Sequence, residues 1–64
     1  MGKQYFVDCM NSHVKRWRSA YEFKDVYEAI EAAVNLHKKD GIYKTRVYDF
    51  INERTVLLLD KSYM

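Results

Sequence analysis

The segment "KDVYEAIEAAVNLHKKDG", residues 24 to 41, limits the fold more than any other stretch of this chain. At about 100° per residue, Val26, Ile30, Ala33 and His37 fall on one line of a helix. Tyr27 and Val34 flank that line on one side, and Ala29 and Leu36 on the other. Glu28, Glu31, Asn35 and Lys39 lie opposite. Asp25 stands where an N-cap is needed, with Glu28 three residues on as the second half of a capping pair. Acids crowd the first turns and Lys38 and Lys39 the last, as the helix dipole favours. Gly41 follows at a position suited to a left-handed cap. Such a helix has one face to bury, so the rest of the chain must supply one apolar layer and no more.

The flanking segments read as strands. "QYFVDCM" (4 to 10) is rich in β-forming residues and ends at "NS", a pair suited to a tight turn. "HVKRWRSAYEF" (13 to 23) returns beside it as a hairpin. After the helix, "IYKTRVYDF" (42 to 50) and "TVLLLDK" (55 to 61) are joined by the polar turn "INER". The order β-β-α-β-β predicts an α+β fold with one helix on one face of a four-stranded, mainly antiparallel sheet. A right-handed crossover gives the spatial order 2-1-3-4, with 1-2-3-4 as the alternative.

Sixty-four residues make one domain, 1 to 64, with one core. A domain near this size buries only about 60% of the surface its unfolded chain exposes. Small domains compensate with disulfides, metals or self-association. Cys9 is the only cysteine, and Cys9, His13 and His37 are too few for a closed zinc site, so homodimerisation is the remaining expectation. No cofactor or metal is implied. Eleven basic and nine acidic side chains leave a net charge of +2, which excludes an acidic DNA mimic and is weaker than a dedicated DNA-binding domain usually carries. No apolar run reaches the roughly 18 residues of a membrane span. The N-terminus lacks a signal-peptide core, and a lone thiol fits a reducing compartment, so the expected location is the cytoplasm.

Strand side chains alternate between faces. Tyr5, Val7 and Cys9 are the more apolar set of the first strand and are expected under the helix, which turns Phe6 and Asp8 outward. In the third strand, Tyr43, Thr45 and Val47 go in. Lys44, Arg46, Tyr48 and Phe50 go out, because burying unpaired cations costs more than exposing a tyrosine. In the second strand Trp17 alternates with Arg16 and Arg18, and with Trp17 expected as a core anchor both arginines lie on the open face. The uncovered face thus gathers Phe6, Arg16, Arg18, Lys44, Arg46, Tyr48 and Phe50, with Val56 or Leu58 at one edge.

No reaction is legible. The only glycines are Gly2 and Gly41, so there is no phosphate loop, and no serine sits in a nucleophile motif. Cys9 reads as a small core hydrophobe, and His37 as a satisfied histidine near the helix end. So short a chain also lacks walls for a deep, dry pocket, and the expectation is a protein that is not an enzyme. Aromatics and arginines are the residue types enriched at binding hot spots, which makes protein binding the leading expectation. The alternative is single-stranded nucleic acid or RNA on a basic-aromatic sheet face.

With "YFVDCM", "KRWRSAYEFKDVYEAIEAA" and "TRVYDF" together, the chain resembles small proteins encoded by lytic bacteriophages. The likeness is a layout: aromatic Tyr5 and Phe6 in the first strand, Trp17 in the second, Phe23 to Ala29 at the helix entry (Asp25, Glu28 and Ala29 matching) and Arg46 to Asp49 in the third. The resemblance implies a protein that binds host machinery and inhibits or redirects it. RNA polymerase, the histone-like DNA-binding protein and Clp protease components are candidate partners. Many such inhibitors are strongly acidic, whereas this chain is mildly basic.

Overall fold

A computed structural model describes residues 2–61. The chain runs β1 (Tyr5–Asn11), β2 (Arg18–Phe23), α1 (Val26–His37), β3 (Ile42–Asp49) and β4 (Arg54–Asp60). The four strands form one antiparallel sheet in the order β2-β1-β3-β4, and α1 packs across one of its faces. This is the α+β architecture and strand order that the pattern predicts. No helix among the described residues is long and apolar enough to cross a membrane.

The helix starts where Asp25, in extended conformation, accepts a hydrogen bond from the Tyr27 backbone N–H at 3.4 Å. It buries Ala29, Ala33 and Leu36, so its inner face is turned from the line through Val26 and His37 toward the Ala29 side. Tyr27, on the far flank, is exposed. The helix ends at His37 with Lys38 as its cap, and Gly41 does not serve as that cap. Gly41 lies one turn later, where the Ile42 N–H bonds to the Lys39 carbonyl at 3.3 Å. Its φ of +88° is the value that the third position of a type II turn requires. That turn reverses the chain into β3.

The core is small. Val7 and Val47 from the two central strands meet Ala29, Ala33 and Leu36 of the helix. Tyr5, Cys9, Phe23, Ile30, Ile42 and Leu57 close around them. Tyr5 and Cys9 follow the alternation in β1. Ile42 instead takes the core side expected of Tyr43, because a bulge at Tyr43, between the Met10–Lys44 and Asn11–Ile42 pairs, reverses the parity before it. The two alanines let the helix lie close to the sheet, and Thr45 is buried beside the helix end. His37 Nδ1 lies 3.0 Å from Thr45 Oγ1, so the buried hydroxyl has a partner.

Two turns are organised by single side chains. Asn11 Oδ1 accepts from the backbone N–H groups of His13 (3.0 Å) and Val14 (2.6 Å), which bends the chain out of β1. Asp49, 2% exposed, accepts from the backbone N–H groups of Ile51 and Asn52, the Asn52 side-chain amide and the Gln4 side-chain amide. It ties the β3–β4 turn to the N-terminal segment, where Phe50 N–H also bonds to the Gln4 carbonyl at 2.9 Å.

The second strand departs from expectation. Regular pairing begins only at Arg18, and residues 12–17 form bends. Val7 faces Tyr21, yet Asp8 faces Ser19, so Ala20 is an extra residue in a β-bulge. One inserted residue reverses the side-chain parity of everything before it. Arg18 therefore stands opposite Cys9, on the helix-covered side, and Trp17 comes to the uncovered side. The expected arrangement of tryptophan in and arginines out is reversed by this bulge. Another bulge, at Val56, lies between the Val47–Leu57 and Tyr48–Thr55 pairs.

Candidate functional site

The uncovered face of the sheet holds two side-chain groups. The first is built around Asp8 and Arg46, cross-strand partners on β1 and β3. Arg46 Nε donates to Asp8 Oδ2 at 2.9 Å. The same guanidinium lies over the Trp17 ring, 4.4 Å from its centroid, and 5.0 Å from the centroid of Tyr48. Asp8 is only 6% exposed although no helix covers this side. The arginine reaches across it toward Trp17, so a layer of side chains does part of what a second helix would do. Arginine suits this role because its planar, weakly hydrated cation can stack on rings while pairing with a carboxylate.

The second group is apolar. Phe6 and Phe50 stack with centroids 5.6 Å apart and planes 2° from parallel. Ile51 continues the patch into the β3–β4 turn. Phe50 is 61% exposed and Ile51 67%. With Gly2, Lys3 and Glu22 these residues line a shallow depression of about 370 Å³. Leu58 on β4, cross-strand partner of Arg46, adds a further apolar side chain that is 53% exposed.

Of the seven residues expected here, the structure brings Phe6, Lys44, Arg46, Tyr48 and Phe50 to this side. Lys44 Nζ is 3.8 Å from Asp60 Oδ2, its cross-strand partner on β4. Arg16 lies in the bend before β2, and Arg18 occupies the opposite-face register position. The face is thus largely aromatic and apolar; among the described residues, its strand cations Lys44 and Arg46 have carboxylate partners, and Lys3 borders the depression beside Phe6 and Phe50. Sequence reasoning missed Trp17 and Ile51. An "S-A" pair in a strand otherwise lined with large side chains is the only local hint of the bulge that redirects Trp17.

Chemically, the face offers ring surfaces and aliphatic groups. Among the described residues, no three His, Cys, Asp or Glu side chains come together as a metal site would require. No protein family, curated protein or solved structure matches the chain.

Proposed function

We propose that this chain is a small protein-binding module that docks on a partner through the uncovered sheet face, with Phe6, Phe50, Ile51 and Leu58 as its apolar anchors. One observation carries the reading: the strand cations of that face, Lys44 and Arg46, are paired within the molecule while the rings and aliphatic groups remain accessible. A contiguous accessible apolar patch is the mark of an interaction surface. Aromatic anchors are the residues that dominate binding energy in such surfaces. Stacking of single-stranded nucleic acid on the sheet would need several free cations beside the rings, and with Arg46 and Lys44 committed only Lys3 borders them among the described residues.

The resemblance to small lytic-phage proteins suggests the class of partner, a component of a bacterial host's machinery, and the outcome, inhibition or redirection by occupying a functional surface. The test is capture from a bacterial lysate followed by mass spectrometry, comparing the native sequence with a Phe50→Asp/Ile51→Asp/Leu58→Asp variant. The expected result is a defined protein retained by the native chain and lost by the variant at unchanged circular dichroism. Equal recovery by both would refute the face assignment. Retention of a second copy alone, seen as concentration-dependent sedimentation, would replace the host partner with a homodimer.

A further inference from the structure

The topology sorts charge by end. β1 finishes, β2 starts, α1 finishes, β3 starts and β4 finishes at the same pole of the molecule. Backbone bonds fix this: Ser12 N–H to the Gly41 carbonyl at 3.3 Å and Lys61 N–H to the Tyr43 carbonyl at 3.1 Å. The bend after β1 brings Lys15 and Arg16 to this pole, and Arg18 opens β2 beside them. The helix end brings Lys38 and Lys39. All five are exposed, and none is in an ion pair among the described residues. Lys44 and Lys61 also lie here, with Asp40 and Asp60 as the opposing carboxylates. The helix C-terminus subtracts only about half a charge. The opposite pole carries Glu22, Asp25, Glu28, Asp49 and Glu53 against Lys3, Lys24 and Arg54.

The exposed rings and aliphatic residues of the docking patch, Phe50 and Ile51, sit at that opposite, acidic pole. The basic pole therefore offers dense positive charge, with Val14, 39% exposed, as the exposed large apolar side chain of its 12–18 segment, against Phe50 and Ile51 at the other end. Charge without apolar anchors is sufficient for a phosphodiester backbone, which is bound through phosphate neutralisation and counterion release. It is poor for a protein interface, whose centre is apolar and depleted of charge. We infer that this pole, built from the 12–18 segment and the end of α1, binds the backbone of nucleic acid without reading its sequence. This surface adjoins the uncovered face at Trp17 and Lys44 but lies at the far end of the sheet from Phe50 and Ile51, so a single chain can hold a protein at one end and a polyanion at the other.

The test is fluorescence anisotropy with a labelled 20-base-pair DNA duplex, an RNA duplex and a single strand of equal length, across a salt series. Five contacts predict a slope of log K against log[salt] of about −4.5 on duplex DNA. Raising salt from about 50 to 200 mM should then weaken binding by about 500-fold. Lys15→Gln/Arg16→Gln/Arg18→Gln should bring the slope near −2, and Lys38→Gln/Lys39→Gln should flatten it independently. Lys3→Gln/Lys24→Gln, at the other pole, should leave it unchanged. Absence of binding to every nucleic acid at 50 mM salt overturns the inference, as does equal loss in the pole and control variants. Binding to phosphatidylserine vesicles but to none of the three nucleic acids overturns it too and assigns the pole to membranes.

Discussion

The fold changes the protonation of Asp49 and of His37 in ways that separate along the pH axis. The Asn52 side-chain amide, then the backbone N–H of Asn52, Gln4 and the Ile51 N–H hold the Asp49 carboxyl down at about 2, against an opposing contribution from burial. Its folded value lies below the unfolded one of 3.8, so the stability it contributes is complete above 3.8 and lost as pH falls toward 2. Burial, helped by the nearby Lys61 charge and opposed by Asp60, lowers His37 from 6.5. The unfolded chain then binds this proton more readily, so stability falls as pH drops below 6.5. Urea midpoints measured from pH 8 to pH 2 should show two declines, one starting near 6.5 and one below 3.8. His37→Gln should flatten the first and leave the second. Asp49→Ala should lower the midpoint at neutral pH and remove its own share of the second.

The first strand, the helix and the third strand from Lys44 onward were legible because each carries one period, with Val7, Ala33 and Val47 falling where alternation and the helical repeat place them. At the start of the third strand the inserted Tyr43 breaks that period. The second strand was not, because parity from Phe23 back to Trp17 assumes that no residue is inserted, and Ala20 is. Nothing in the type of a residue reveals that two residues oppose one across a ladder. The consequence is functional: Arg46, read as a free hand for a partner's acids, instead bridges Asp8, Trp17 and Tyr48. Arg46→Ala would strand the nearly buried Asp8 carboxylate, and removing one member of such a pair costs about 3 kcal/mol. Arg46→Lys keeps the charge but loses the planar stack, a cost of about 1 kcal/mol. Chemical denaturation of both variants checks the order. If Arg46→Ala unfolds no more easily than the native chain, the bridge contributes nothing and the arginine is free for a partner.

A core of two valines, two alanines and a leucine leaves the whole molecule little to spare. At typical values per residue, a chain of this length has about 3–10 kcal/mol of stability. Val47→Ala removes two methyl groups from a site with no exposure, a loss of about 2 kcal/mol before any collapse around the cavity. For so small a domain each kcal/mol moves Tm by about 4–8 °C, so this change should lower Tm by roughly 8–16 °C. Leu58→Asp, at a half-exposed site of the uncovered face, should stay within about 0.5 kcal/mol of the native chain. The contrast has a physical source. The helix-covered side is held by packing that cannot lose volume, whereas the other side is held by the Asp8–Arg46–Trp17 layer, which Leu58, Phe50 and Ile51 border. Stability and docking thus draw on different side chains of one sheet, and thermal scans of the two variants read that division directly. Comparable Tm losses in both would mean that the apolar patch is part of what holds the fold together, and a surface spent on folding is not available to bind.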